Sequence, residues 1–249
     1  MKPETLMGKA LNSKYSPKER AMAFDKLYYD YIKINGNDNG WDKFREKLRE
    51  EFSNFLTEKQ KLKFGLTKKE KSIAFSELKK FVFTKKESYY PVEIFYKTSW
   101  ALIKKITSKN AKILDIGYGD YPTFIKFLNS KEYNTHGIEP YPKEFDNKKS
   151  FRGTIKNIPK KLNQKYNLIL INMVYTINYT HHFSKKFNWE LKNKKKLIKR
   201  LNALLSEKGY LVLIDDIGTI FSKKDLKKYF KIVLFEKDNE GRITLLRKN

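Results

Sequence analysis

Residues 111–123, A-K-I-L-D-I-G-Y-G-D-Y-P-T, constrain the fold of this chain more than any other stretch. The apolar Ile113-Leu114 leads into Asp115-Ile116-Gly117-Tyr118-Gly119, and Thr123, Phe124, Ile125, Phe127 and Leu128 follow with helical spacing. The pattern reads as a strand, a glycine turn and a helix. A glycine turn lets backbone approach a ligand where a Cβ would block it. The helix that follows aims free N–H groups and its positive dipole end at the same place. A second stretch, T-H-G-I-E-P over residues 135–140, ends a short strand on Glu139, 24 residues after Asp115. A carboxylate about 20 residues beyond such a turn is placed to bond a ribose diol. Together the two stretches imply a nucleoside-bearing ligand.

Strands and helices alternate from residue 111 onward, which predicts an α/β fold with a parallel sheet and crossovers. Residues 112–116 and 135–139 are the first two strands, and a weak third lies near 151–155. Residues 166–172, Y-N-L-I-L-I-N, are apolar on both faces, as a buried parallel strand is. A helix over 194–205 precedes a fifth strand over 209–215, and Ser222 to Asp225 cap a short helix ending near Phe230. Residues 231–237 and 242–247 flank D-N-E-G, a hairpin signal. The sheet is therefore expected to close on an antiparallel pair.

Residues 1–110 read as helical. Ser16-Pro17-Lys18-Glu19 is a capping box with proline at the first helical position. Phe24, Leu27, Tyr28, Tyr31 and Ile32 then share one face, and Trp41, Phe44, Leu48, Phe52 and Phe55 make a second stripe beyond the break at 35–40. Further boxes start at Thr57, Thr67 and Thr84, and residues 95–106 run up to the first strand. These aromatics are expected to be core. The division that follows is a helical N-terminal part over 1–108, which would recognise the substrate, and an α/β part over 109–249.

Lysine plus arginine number 54 against 28 acidic residues, a net charge of +26, with only seven arginines. A lysine-rich codon bias accounts for lysine over arginine and less well for the excess, since the acids have not risen to match; a uniform bias and a broad RNA-facing surface both fit the charge. A field this positive favours polyanionic partners, nucleic acid first and an anionic membrane second. The charge is no detached tail: residues 1–110 carry 25 basic and 14 acidic side chains, and the remainder 29 and 14. Cysteine is absent, which excludes disulfides, thiolate metal sites and cysteine nucleophiles. No apolar run approaches the ~20 residues of a membrane span, and the N-terminus lacks the apolar core of a signal peptide. A soluble, cytoplasmic protein is the expectation. No metal is expected either, because the adjacent His181 and His182 diverge and no third ligand is placed beside them.

L-D-I-G-Y-G, G-I-E-P, Y-N-L-I-L-I-N and the closing hairpin, in that order over about residues 90–249, resemble the class I S-adenosylmethionine-dependent methyltransferases. A dinucleotide-binding Rossmann domain is the rival. It would carry G-x-G-x-x-G and a sixth parallel strand, whereas Pro122 stands three residues after Gly119. The resemblance implies a Rossmann-like seven-stranded sheet with an antiparallel C-terminal hairpin, and S-adenosyl-L-methionine as cofactor. Asp115, Gly117, Tyr118 and Gly119 would line its methionine half, mostly through backbone. Glu139 would accept from both ribose hydroxyls, for which two carboxylate oxygens suit a vicinal diol. Thr154 stands where the family often has an acidic or polar residue near the adenine, and Ile155 would cover a ring face. Asn172 would sit beside the methyl donor.

Three features bear on the substrate. Asn172-Met173-Val174-Tyr175 stands where adenine-N6 methyltransferases carry Asn-x-Pro-aromatic, without the proline, which makes Asn172 and Tyr175 the catalytic candidates. Residues 84–96, T-K-K-E-S-Y-Y-P-V-E-I-F-Y, with G-Y-G-D-Y-P over 117–122, loosely resemble the aminoglycoside-resistance 16S rRNA methyltransferases, although Ser88 replaces an arginine of that pattern. The loop over 178–189 follows the fourth strand at the sheet's carboxyl edge, where open α/β folds bind substrates. Its His181, His182, Phe183, Lys185 and Trp189 combine rings that stack bases with a cation that meets phosphate. Displacement at a sulfonium carbon needs orientation more than a strong base, so the lack of an acid–base pair is no obstacle. An RNA methyltransferase for ribosomal or transfer RNA is the leading expectation. The alternatives are a methyltransferase for a small metabolite or protein, and an inactive RNA-binding protein that kept the fold. Oligomeric state is left open.

Overall fold

Tyr166–Asn172 has every position buried but Asn167, and such a strand has to be covered on both sides. The computed structural model describes residues 63–85, 96–172, 193–215, 221, 223–238 and 241–249, besides Tyr15, Glu19, Met22, Ala23 and Lys26. Its strands are β1 (Lys112–Ile116), β2 (Asn134–Glu139), β3 (Ser150–Arg152), β4 (Tyr166–Asn172), β5 (Leu205–Asp215), β6 (Phe230–Asp238) and β7 (Gly241–Lys248). They form one seven-stranded sheet in the order β3-β2-β1-β4-β5-β7-β6. Pairing is parallel from β3 through β5, and β7 runs antiparallel to both β5 and β6. The α/β sheet expected from the sequence, closing hairpin included, is present.

Among the described residues, five α-helices flank it: α1 (Lys68–Lys85), α2 (Lys97–Ile106), α3 (Thr123–Ser130), α4 (Lys194–Leu204) and α5 (Lys223–Lys227). Alternation along the strands sorts the core into two layers. Ile113, Leu168, Leu170 and Val212 face Leu78 of α1, Trp100 and Ile103 of α2, and Phe124 and Phe127 of α3. Leu114, Ile116, Ile169 and Ile171 face the other way, onto Leu197, Ile198 and Leu201 of α4 and Leu226 of α5. Each such side chain contributes about 1.5–3 kcal/mol when fully buried. A register slip of one residue would exchange the two faces, so the pairing is strongly specified. Helices α1 and α2, which the sequence assigns to the N-terminal part, share a core with the sheet.

Local chemistry sets several boundaries. The capping box at Thr67 forms: Glu70 N–H donates to Thr67 Oγ1 at 3.1 Å, and Thr67 N–H donates to Glu70 Oε2 at 2.6 Å. The Thr67 N–H first, and the Thr67 hydroxyl donating to the same oxygen at 2.9 Å, draw the Glu70 carboxyl below its usual range against its partial burial, and Lys105 of α2 adds to them at 3.1 Å. β3 is shorter than the expected 151–155. Gly153 N–H still reaches Glu139 O at 3.0 Å, but Asn157 N–H then turns back onto Thr154 O at 3.0 Å, so Thr154 and Ile155 lie in a turn. β5 starts earlier than 209, directly after α4. It carries Lys208 at φ 59°, and Gly209 is packed so closely that a Cβ there would lie 2.9 Å from Ser206 O. The last helix ends at Lys227, and Phe230 already belongs to β6. The helical stripes expected before residue 63 lie outside the described residues apart from a few isolated positions.

Gly137 of β2 is where α3 meets the sheet. A Cβ there would fall 2.2 Å from Ile125 Cδ1 and 2.8 Å from Tyr118 Cδ1. Gly137→Ala should therefore destabilise the protein by about 1–3 kcal/mol, the usual range for overpacking. The double change with Ile125→Ala should recover little, because Tyr118 stays in place. Urea denaturation of both variants measures this, and an unchanged midpoint for Gly137→Ala would show the seam to be loose.

Candidate functional site

The site grows out of the register of three strands. Ile116 pairs with Ile138 on one side and with Ile171 on the other. One residue further, Glu139, Gly117 and Asn172 stand abreast at the carboxyl edge, and Gly117 N–H donates to Ile138 O at 2.8 Å. Arg152 lies in register outside Glu139, and Ile214 outside Asn172. Strand order reverses between β1 and β4, and a crevice at such a switch point is where open α/β sheets bind ligands. Alternation aims Asp115, Glu139 and Asn172 at the face that α1 to α3 cover.

Gly117 and Gly119 both hold φ at 82°, in the left-handed region that a side chain disfavours. Apart from its chain neighbours, a Cβ on Gly119 would meet nothing within 4 Å, so the space over that glycine is open. Glu139 faces it. Its Oε2 accepts the Gly119 N–H at 3.3 Å and its Oε1 accepts the Tyr141 N–H at 3.1 Å. Each oxygen keeps a further lone pair for a ligand hydroxyl. Burial raises the Glu139 carboxyl above its usual range, and the two N–H bonds temper the rise.

Behind the corner are two side chains whose polar atoms have no partner among the described residues. Asp115 is fully buried with neither oxygen bonded, and Asn172, 8% exposed, has neither amide atom bonded. Each such group costs about 1–3 kcal/mol until something pairs with it. Burial first, and the Glu139 charge second, push the Asp115 carboxyl from its ordinary 3.8 up to about 7.

Other expected site residues fall at varying distances from this pair. The Tyr118 side chain turns under the corner: it is 2% exposed, its hydroxyl donates to Glu144 O at 3.1 Å, and only its backbone lines the turn. Thr154 Oγ1 accepts Asn157 N–H at 3.3 Å, which engages it in its own turn, and Ile155 is buried at 1% exposure. Tyr175, His181, His182, Phe183, Lys185 and Trp189 lie outside the described residues. Tyr96 went unassigned in the sequence. Its hydroxyl donates to Tyr118 O at 3.2 Å, and its ring stacks on Phe124 at 4.3 Å between centroids. Burial and the charges of Asp115 and Glu139 hold that phenol well above its usual range, so it stays a donor. The one signal in the sequence was its place as the last residue of the 84–96 stretch, whose resemblance gave it no role at the site.

The sheet order places the fold. This is the class I methyltransferase fold. No family model matches the chain, and no curated protein matches its sequence. Solved structures do resemble it. An S-adenosylmethionine-dependent methyltransferase from Aquifex aeolicus aligns with a TM-score of 0.47 at 14% identity, over 70% of this chain and 98% of its own. The antibiotic-resistance methyltransferase Kmr aligns with a TM-score of 0.42 at 14% identity, over 60% and 92%. A variant of the 16S rRNA (adenine(1408)-N(1))-methyltransferase from Catenulisporales acidiphilia gives 0.39 at 12% identity, over 57% and 85%. Among the described residues, no helix is long and apolar enough to cross a membrane.

The donor set suits the cofactor of that fold. S-adenosylmethionine carries a ribose diol for Glu139, an ammonium and a sulfonium for the negative end made by Asp115 and Glu139, and polar groups for the unpaired Asn172 amide. Without such a ligand, Asp115 is a cost. Its folded value lies above its unfolded one, so stability falls as pH rises from about 4 to about 7, and the deficit of roughly 4 kcal/mol stands above that. His136, pushed by burial down to about 4 from 6.5, works in the opposite direction over the same window. The difference between wild type and Asp115→Asn isolates the carboxyl. Urea denaturation across this range should show Asp115→Asn gaining on wild type as pH rises, and a difference flat with pH would contradict the buried, unpaired carboxyl.

Proposed function

We propose that this chain is an S-adenosylmethionine-dependent methyltransferase that modifies a base of ribosomal or transfer RNA. The observation that carries the enzyme reading is the open glycine corner faced by Glu139, with the unpartnered Asp115 and Asn172 side chains behind it. When bound, the cofactor supplies an electrophilic methyl group on a sulfonium. The chain's part is to bind and orient. Gly117 and Gly119 offer backbone without a Cβ, Glu139 takes the diol, and Tyr96 steadies the turn through Tyr118 O. Asn172, at the strand end beside the corner, has a free donor and a free acceptor for polar atoms arriving at the carboxyl edge. The RNA part of the reading is supported by the net charge of +26, which favours a polyanion over a neutral metabolite.

Calorimetry with S-adenosylmethionine tests the enzyme reading. Glu139→Ala should weaken binding by one to two orders of magnitude, since hydrogen bonds to a charged group are worth about 1.5–3 kcal/mol each at most. Glu139→Gln, which keeps one acceptor oxygen, should lose less. Unchanged affinity in Glu139→Ala would remove that residue from the site, and absence of binding by the wild type would leave an inactive scaffold. Tritium-labelled methyl transfer into total RNA, against a small-molecule extract, tests the substrate. Label confined to the extract would sink the RNA reading.

A further inference from the structure

The acids that pair with lysines are not spread evenly over the two faces of the sheet. On the side of α1 to α3 and their neighbouring loops, Glu70, Glu77, Asp120, Glu132 and Glu144 each hold a lysine at 2.6 to 3.5 Å. On the opposite side two segments are bare of acids. Residues 153–169 carry four lysines and no acidic residue, and residues 193–206 carry four lysines, one arginine and no acidic residue. The two segments lie together, because Arg200 Nη1 donates to Lys156 O at 2.7 Å. Lys160, Lys161, Lys195, Lys196 and Lys199 are all exposed. At the margin, Asp225 of α5 takes Lys194 at 3.2 Å.

Folding does not account for this arrangement. Three lysines crowd the first turn of α4, which has no acidic residue, and a helix dipole disfavours cations there. Codon bias supplies lysines to both faces, and α2 is free of acids too, but Lys104, Lys105 and Lys109 on that side reach Glu77, Glu70 and Glu132, whereas Lys160, Lys161, Lys195, Lys196 and Lys199 meet no carboxylate among the described residues. The basic face also adjoins the site. Arg152 stands in register with Glu139, the chain passes from it into the acid-free segment, and α4 runs back from the carboxyl edge before β5. No large apolar side chain among the described residues is exposed in either segment, so the face has nothing to insert into a lipid layer.

We propose that the face formed by α4 and the turn over 153–165 is the surface on which the RNA backbone lies while its target base reaches the carboxyl edge. The inference rests on the RNA reading above, and it places backbone recognition on the sheet's far face rather than on the N-terminal helices.

The test compares two charge-reversed triple variants of the full chain. One carries Lys195→Glu, Lys196→Glu and Lys199→Glu; the control carries Lys68→Glu, Lys69→Glu and Lys131→Glu on the other side. Binding is measured with total ribosomal RNA and with a mixed-sequence RNA oligonucleotide over a range of salt, alongside calorimetry with S-adenosylmethionine and thermal melting. The α4 triple should bind RNA about ten- to a hundredfold more weakly, and its salt slope should be shallower by roughly 2–3, at about 0.7–0.9 per phosphate contact. Its cofactor affinity should not change, and its melting temperature should not fall, since acids suit the first turn of α4. The control should lose far less RNA affinity. Equal losses in the two triples, or an α4 triple that binds RNA like wild type, would overturn the inference while leaving the methyltransferase reading intact. Wild-type preference for phosphatidylserine vesicles over RNA, lost in the α4 triple, would make the face a membrane surface and overturn it too. Failure of the RNA reading itself is visible before any variant is made, as wild-type protein that binds cofactor and ignores RNA.

Discussion

Everything at the site depends on the pairing of β1 with both of its parallel neighbours. Ile116 locked between Ile138 and Ile171 leaves Glu139, Gly117 and Asn172 side by side one step later. The pairing is enforced from below by side chains that have nothing to do with the site. Ile113, Leu114, Leu168 and Ile169 are all fully buried, two toward each layer. Shifting β2 by one residue against β1 would drive the Glu139 carboxylate toward the layer under α4 and bring Ile138 to the corner. The hydrophobic core thus fixes the position of the charged groups, and the carboxyl edge inherits an arrangement it could not hold by itself.

Much of this was legible in the residues. The glycine turn, the acid at the end of β2 and the doubly apolar β4 announce themselves, because backbone freedom and two-sided burial leave direct marks on sequence. The Thr67 capping box was legible for the same reason, as an interaction confined to four residues. What escaped has a different origin. The end of β3 was placed too late because Ile155 continues the apolar alternation, while the Asn157 bond that turns the chain is a matter of geometry. The early start of β5 was hidden by Gly209, which looked like a strand opening and is in fact packed against Ser206 O inside the strand. The role of Tyr96 depends on a carbonyl 22 residues away. The isolation of Asp115 was likewise invisible, since a sequence shows which groups are polar but not which lack a partner.

Charge behaves the same way. Counted along the chain, lysine is everywhere and says little. Folded, it divides into a face where carboxylates answer it and a face with long stretches where none do. The distinction arises from the placement of the acids, which no composition reports.

The bond from Tyr96 to Tyr118 O also bears on where this chain can be cut. The sequence changes character near residue 108, which makes that point the obvious place to trim. A cut there would remove the phenol that props the glycine turn, the ring stacked on Phe124, and the Trp100 and Ile103 cover over Ile113, Leu168 and Leu170. The α/β half would be left with α3 alone over that side of its sheet, and with Ile113, Leu168 and Leu170 partly uncovered. Helix α2 is the lid of the second half's core, and any fragment meant to fold has to begin ahead of it.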